Sequence, residues 1–333
     1  MDLQVDLISG RCHRASPLLL DTHDPPLVIY AATSRIHVVS LKSGQLIAVY
    51  TKHRSPVVKL RSEDQAIISS ISEDGYVSIW NVDSLQEMES MKITFPVFDW
   101  ISITSKPNTI SIVTKRSLIQ NKDEAPITTP QRETDDYVFM QYDTMNNEMI
   151  NPLCALHYPS HCIARLTTPD EYMIAVNRKS INIFAIENDH RIQIKTELNN
   201  MNCVAVNSSK HMLATGHGNG AITLWYEVHS WLNSLPLSSF TSHFVRPKSK
   251  PVHTVLHWHA IPLNTLCFNP DGNFLCSGGE EGVLVQWHLN DSHKKTFLPR
   301  LGAPIASSRS SQSSNFTAIS TTDNCIRIID TAR

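Results

Sequence analysis

Residues Glu73 to Trp80 read EDGYVSIW, and two later stretches repeat the plan: GNGAITLW from Gly218 to Trp225 and EEGVLVQW from Glu280 to Trp287. Each places a glycine five residues before a tryptophan (80 − 75, 225 − 220, 287 − 282), with apolar residues alternating in between. Alternation sends successive side chains to opposite faces, the period of a strand with one face buried. The glycine suits the tight turn that must precede such a strand. Self-similarity of this kind is the signature of a repeat architecture.

The same plan spreads outward from these copies. Ala66 to Met91 (AIISSISEDGYVSIWNVDSLQEMESM) gives strand, EDG turn, strand, DSLQ turn, strand. Leu27 to Tyr50 (LVIYAATSRIHVVSLKSGQLIAVY) gives three runs separated by TSR and KSG. It returns from His211 to Glu227 and from Gly272 to Asp291, while long helical periodicity is almost absent. Strands grouped in fours with a tryptophan on the third suggest propeller blades. Here the chain resembles the WD-repeat family, whose blades carry a His ahead of the blade, an Asp in the second turn and a Trp on the third strand.

His53, Asp74 and Trp80 make one nearly complete set; His259, Glu281 and Trp287 make another, with Glu in place of Asp. The copy ending in Trp225 has Asn219 at the acidic position and no His at the matching upstream place. The WD dipeptide itself is absent: Asn81, Tyr226 and His288 follow the three tryptophans. The resemblance implies that the imidazole donates to the turn carboxylate, Asp74 or Glu281, and that a strand hydroxyl, Ser70 or Ser277, carries the network to the indole. Such a network satisfies buried polar groups.

That pattern also answers the question raised by VHTVLHWHA (Val252 to Ala260), which packs His253, His257 and His259 closely enough to suggest a metal site. His259 lies 28 residues before Trp287 and His53 lies 27 before Trp80 (287 − 259, 80 − 53), a shared spacing that makes both structural residues of the repeat. His253 and His257 are left as candidates for partner contact, and the stretch reads as a blade junction.

Three more blades follow from β patterning, at Ile93–Ile150, Leu153–Glu197 and Ala303–Asp330. Trp80 and Trp225 are 145 residues apart (225 − 80), about 48 per blade over three blades, and 333 residues divided by seven give about the same. NCIRIIDTAR ends as a third strand without a fourth, and Leu3–Ile8 is a strand without a blade. The expected fold is therefore all-β: one seven-bladed WD-repeat β-propeller over residues 1–333, closed by pairing of its N- and C-terminal strands, which removes exposed edges. Two insertions interrupt it. Residues 115–136 are polar and Pro-containing and read as a loop. Residues 227–251 carry Trp231, Leu232, Leu235, Phe240 and Phe244, and read as a flap over the rim or as a docking element for a partner.

Composition narrows the function. The 29 Lys+Arg against 31 Asp+Glu leave a formal charge of −2, which argues against a free-standing, electrostatically driven nucleic-acid binder. Seven cysteines, odd in number and never spaced CxxC, argue against a disulfide framework or zinc ribbon and for a reducing compartment. The N-terminus lacks the features of a signal peptide, and no run of about 18 apolar residues is present to span a membrane as a helix. GHGNG (Gly216–Gly220) and SGGEEG (Ser277–Gly282) do not open helices, so they read as turns and not as phosphate cradles. Neither GxSxG nor HExxH occurs.

A closer resemblance lies between Val255 and Ile305. The elements LHWH, LCSGGEEGVLVQW and FLPRLGAPI, with the preceding MNCVAVNSSKHMLATGHGNGAITLW, resemble the WD repeat-containing protein 75 family, called NAN-one or UTP-seventeen in yeast. The likeness is strong over Met201–Asp330; upstream, only the blade plan and the polar interruption of the third blade match. It implies a non-enzymatic, nucleolar scaffold subunit of the small-subunit processome, supporting pre-rRNA processing, ribosome biogenesis and RNA polymerase I transcription of rRNA. Its implied partners are other processome WD-repeat subunits, pre-ribosomal RNA and a small nucleolar ribonucleoprotein, directly or indirectly; no membrane, metal or cofactor is implied. Family members carry a second propeller and a C-terminal tail, so a chain of this length reads as a fragment, a short isoform or a reduced relative.

Two basic sets, Arg246, Lys248 and Lys250, and Lys294, Lys295 and Arg300, would form a phosphate-contacting patch if they meet in space. Aromatic residues are not interleaved with them, so any RNA contact should be weakly sequence-specific. The alternative is a general WD-repeat adaptor, such as a ubiquitin-ligase substrate receptor or a trafficking coat component. It would lack FLPRLG and LHWH and bind proteins alone. A propeller enzyme would need carboxylates or histidines converging on the innermost strands, and no such set is legible.

Overall fold

The alternating runs become strands throughout the computed structural model, which describes residues 3–6, 15–62, 66–102, 108–118, 137–158, 161–167, 171–186, 190–198, 200–235, 244–291, 294–298, 301–313 and 316–330. After β1 (Leu3–Asp6), the first sheet is β2 (Leu18–Leu20), β3 (Leu27–Ala32), β4 (Arg35–Ser40) and β5 (Leu46–Tyr50). The second is β6 (Val57–Ser62), β7 (Ile67–Ser72), β8 (Tyr76–Asn81) and β9 (Glu87–Lys92). The third is β10 (Asp99–Ser102), β11 (Thr109–Lys115), β12 (Tyr137–Asp143) and β13 (Glu148–Leu156). The fourth is β14 (Ile163–Thr167), β15 (Glu171–Asn177), β16 (Ser180–Ala185) and β17 (Arg191–Lys195). The fifth is β18 (Met201–Asn207), β19 (Met212–His217), β20 (Ala221–Trp225) and β21 (His253–His257). The sixth is β22 (Leu263–Phe268), β23 (Phe274–Gly279), β24 (Val285–His288) and β25 (Lys295–Phe297). The seventh is β26 (Ile305–Ser310), β27 (Phe316–Thr321) and β28 (Cys325–Asp330), completed by β1.

Trp80, Trp225 and Trp287 sit on third strands, and β1 supplies the outer strand of the last sheet, antiparallel to β28 in the register Leu3↔Ile328 to Asp6↔Cys325. Seven four-stranded sheets with this closing pair are the architecture read from the repeats.

Two compact units divide the chain: residues 1–97 with 264–333, and 98–263. In the first, Leu18, Ile29, Ile36, Tyr50, Leu60, Ile68 and Trp80 form a continuous apolar core. In the second, Ile174, Ile183, Ile192, Val204, Leu213 and Trp225 do the same. Cys154, Cys162, Cys203, Cys267 and Cys276 are buried thiols, used as small core residues. Among the described residues no helix is long and apolar enough to cross a membrane.

Two blade boundaries differ from the expectation. The third sheet runs on to Leu156, past Ile150, and the fourth starts at Ile163. β13 runs on through Pro152, which stands opposite Met140, with register shifts between Phe139 and Met140 and between Gln141 and Tyr142. An outer strand tolerates proline at such an irregularity because fewer of its N–H groups are needed for pairing.

The second insertion starts as a helix, α1 (Val228–Ser234), which the strand periodicity conceals. Val228 and Leu232 are buried in the core around Trp225, with Trp231 and Leu235 packed partly against it. The segment returns beside β17, where Val245 makes a parallel bridge to Ile192 and Phe244 packs on Phe184 with ring centroids 5.7 Å apart. Phe240 and residues 119–136 of the first insertion lie outside the described residues, as does Ile8 of the predicted first strand.

Candidate interaction surfaces and the polar networks beneath them

In the second sheet, the hydroxyls of β7 connect a tryptophan to a turn carboxylate. Trp80 Nε1 donates to Ser70 Oγ at 3.2 Å, and Ser70 Oγ lies 2.7 Å from His53 Nε2. His53 Nδ1 is 3.0 Å from Ser72 Oγ, and Ser72 donates to Asp74 Oδ1 at 2.6 Å. A neutral imidazole donates from one nitrogen and accepts at the other. Because Ser72 spends its proton on Asp74, Nδ1 of His53 carries the hydrogen and Nε2 accepts from Ser70. The four bonds thus run in one direction from indole to carboxylate. Ser72 stands between His53 and Asp74, so the direct imidazole–carboxylate bond implied by the family resemblance is replaced by a relay. Burial pushes His53 down to about 4, against the opposing pull of Asp74 and Glu87. Burial raises Asp74, but hydrogen bonds from Lys92 and Ser72 outweigh it and hold the carboxyl below its ordinary value.

A second carboxylate closes the outer side of this sheet. Glu87 accepts from Tyr76 at 2.5 Å, Ser78 at 2.8 Å and Tyr50 at 3.3 Å. Tyr50 stacks on Trp80 with centroids 4.4 Å apart and planes 9° from parallel. The seventh sheet repeats the turn with other residues: Thr321 donates to Asp323 Oδ1 at 2.5 Å, and Arg327 Nη1 donates to Thr321 at 2.9 Å. There Ile329 holds the position six residues after the turn Asp (329 − 323), where Trp80 follows Asp74 (80 − 74).

In the sixth sheet Trp287 Nε1 donates to Ser277 Oγ at 2.9 Å. Glu281 lies half-buried at the turn between β23 and β24. His259 is 1% exposed and belongs to the second unit, where its carbonyl lies against Gly220.

In the fifth sheet Trp225 Nε1 donates to Thr215 Oγ1 at 3.4 Å. His217 Nε2 lies 3.4 Å from Thr215 Oγ1 and 3.0 Å from Thr223 Oγ1. This fully buried imidazole is the residue that the sequence reading omits. It sits eight before its tryptophan (225 − 217), as Ser72 does (80 − 72), and that shared offset was the signal. A His from the strand thus serves where none is supplied from upstream. Asn219, at the acidic position, accepts from the Ala221 N–H at 3.2 Å.

The three clustered histidines go to three separate places. His253 packs on the Trp225 ring at 4.7 Å, His257 Nε2 meets the Asn219 carbonyl at 3.3 Å, and His259 is buried. Among the described residues no group of three or more His, Cys, Asp or Glu side chains is placed to hold a metal ion.

Of the basic residues, Arg246 donates from Nε to Gln193 Oε1 at 2.9 Å, and Lys248 and Lys250 are exposed after it. Lys294 is exposed, and Lys295 lies 5.6 Å from the centroid of the Trp287 ring. The first set belongs to the second unit and the other two lysines to the first. Arg300 lies outside the described residues.

Seven four-stranded sheets, a tryptophan on the third strand of three of them and a hydroxyl-linked network behind each define a seven-bladed WD-repeat β-propeller protein. Residues 20–324 match the family described as WD repeat-containing protein 75 first beta-propeller, and the chain belongs to that family. WD repeat-containing protein 75 of Danio rerio is 22% identical over 324 residues, covering 93% of this chain and 36% of that protein. The Xenopus laevis protein of the same name is 39% identical over 129 residues, 39% of this chain and 14% of the relative. U3 small nucleolar RNA-associated protein 17 of Schizosaccharomyces pombe is 48% identical over 75 residues, 22% of this chain and 9% of the relative. The chain therefore spans little more than a third of the Danio rerio relative's length.

Proposed function

We propose that this chain is a non-enzymatic scaffold of the small-subunit processome, acting in the nucleolus in ribosome biogenesis and pre-rRNA processing and supporting transcription of rRNA by RNA polymerase I. One observation carries the reading: family membership over residues 20–324, in a family with a relative named for its association with U3 small nucleolar RNA. Residues 1–333 act in this reading as one WD-repeat domain. Its partners are other WD-repeat subunits of the assembly and, directly or through them, pre-ribosomal RNA and a small nucleolar ribonucleoprotein. The exposed Lys248, Lys250, Lys294 and Lys295 are the candidates for phosphate contact, adding affinity without base selection.

The test is a tagged pull-down from nuclear extract at low salt, with proteins and RNAs both identified. Recovery of pre-rRNA spacer together with other nucleolar WD-repeat subunits is the expected result. A folded chain that recovers neither, while a version extended to the length of the relatives also recovers neither, sinks the reading. The Lys294→Glu/Lys295→Glu variant should lose RNA more than protein if these residues touch phosphate.

A further inference from the structure

Residues 244–257 run from a strand edge that the chain covers to one that it leaves open. At β17 the edge is covered: Gln193 N–H donates to Val245 O at 2.9 Å and Val245 N–H to Arg191 O at 2.8 Å. Twelve residues after Arg246 the chain reaches Trp258, having formed β21, the last strand of its own sheet (258 − 246). Among the described residues, no strand or bridge pairs with the outer side of β21.

Register decides which backbone groups face outward. Tyr226 N–H donates to Val252 O at 2.9 Å, and the pairs Leu224↔Thr254 and Ile222↔Leu256 continue that phase. In an antiparallel pair hydrogen-bonded and non-hydrogen-bonded positions alternate, so His253, Val255 and His257 point their N–H and C=O away from β20. The edge is also apolar: Val252 is 73% exposed, Val255 54%, Ile261 39% and Trp258 38%. Native proteins usually blunt such an edge with charge or cover it.

Charge then selects the occupant. From Phe244 to Pro262 the sequence carries Arg246, Lys248 and Lys250 and no Asp or Glu. Lys248 and Lys250 are exposed immediately before the strand. We propose that the outer edge of β21 receives an extended acidic segment of a partner protein, added as a fifth strand. Its apolar side chains would share the face of Val255, and its carboxylates would reach Lys248 and Lys250. Strand addition takes affinity from main-chain hydrogen bonds and selectivity from alternate side chains. Exposed aliphatic residues with a single aromatic favour protein over RNA, which stacks on successive aromatic rings. This proposal gives the scaffold reading a surface and a partner chemistry. Its test uses purified components and leaves ribosomal recruitment aside, so either can fail alone.

The full 333-residue chain is titrated with three labelled probes: an eight-residue peptide of alternating valine and aspartate, its lysine-for-aspartate counterpart, and oligouridylate. Fluorescence anisotropy reports affinity, and hydrogen exchange reports protection of individual amides. The acidic peptide should bind, protect the His253, Val255 and His257 amides, and weaken as salt rises. Val255→Pro removes an outward N–H without touching a bond to β20 and should weaken binding at least tenfold, while Val255→Thr should bind nearly as the parent does. Should the proline variant fail to fold, the Lys248→Glu/Lys250→Glu variant replaces it and should shift preference to the lysine peptide. Equal binding of both peptides, binding without protection of those three amides, or oligouridylate protecting them in preference to the acidic peptide each overturns the proposal.

Discussion

Gly220 lies so close to the main chain of His259 that a Cβ on it would stand 2.0 Å from the His259 carbonyl oxygen. The same relation joins Gly75 to Ile93 at 2.5 Å and Gly282 to Ala303 at 2.7 Å. Each glycine ends the turn between second and third strands, and each carbonyl belongs to the segment leaving the fourth strand. The glycine of EDG, GNG and EEG is therefore required twice, for its positive φ and for its missing side chain. Gly44 separates these demands, because its φ is +68° but nothing lies within 4 Å of its Cβ position. Gly44→Ala should cost roughly 1 kcal/mol for the left-handed backbone. Gly220→Ala should cost at least about 3 kcal/mol, the excess coming from overpacking. Urea unfolding of the two variants checks the difference; equal losses would leave the close approach without energetic weight.

His53 makes stability pH-dependent in a defined window. Its folded value is about 4, against 6.5 for the free side chain. Above pH 6.5 both folded and unfolded states hold a neutral ring, and the buried relay contributes in full. As pH falls from 6.5 to 4 the unfolded chain takes up a proton first, and stability drops by on the order of 3 kcal/mol. Below 4 this group adds no further loss. Asp74, held below its ordinary value, adds its own loss as pH falls through its lowered pKa. His53→Gln should flatten the curve between pH 6.5 and 4 in denaturant titrations; an unchanged slope would contradict a neutral His53.

Trp287 is 6% exposed and bonded to Ser277, so Trp287→Ala should lose about 3–5 kcal/mol, as large-to-small core changes do. Trp80→Phe keeps an aromatic ring against Tyr50 but deletes the bond to Ser70. It should cost less, about 1–3 kcal/mol, because Ser70 still has His53 as a partner. A melting temperature of Trp287→Ala equal to the parent's would remove Trp287 from the blade core.

His217→Ala should destabilise the fifth sheet by about 1–3 kcal/mol by leaving Thr223 and Thr215 short of a partner. His217→Ser, which places at this offset the residue type found at Ser72, should recover part of that loss. Amide exchange along β19 and β20 is the local readout. If the serine variant exchanged as fast as the alanine variant, the equivalence of the two positions would fail.

The sheets were legible because strands announce themselves twice, by alternation and by turn glycines. Even the pairing of β1 with β28 could be read from one run without a blade and one blade without a strand. Helix α1 was not, since it is seven residues long and its buried positions, Val228, His229 and Leu232, make too short a pattern to show a period. Within the networks, Trp80 and Trp287 were legible from the repeat itself, and their serine partners Ser70 and Ser277 from the resemblance to the WD-repeat family. Ser72 and His217 were missed because one position carries a hydroxyl in one sheet and an imidazole in another. Chemistry at that site is shared while residue identity is not. The open edge of β21 was invisible for a different reason: a sequence does not say which side of a strand its neighbour occupies.

The pairing of β1 with β28 also sets a timetable. Leu3 meets Ile328, 325 positions later (328 − 3), and the 166 residues of the second unit (263 − 98 + 1) intervene between the two parts of the first. A ribosome adding about 5–20 residues per second makes Ile328 roughly 16–65 s after Leu3. Throughout that interval β1 is an unpartnered strand on a nascent chain, and the last sheet is the final one to complete. The second unit, contiguous in sequence, has all its residues before the first has its own. Completion of the last sheet therefore waits on a strand made early, β1, and a chaperone that shields it would act until β28 has been synthesised.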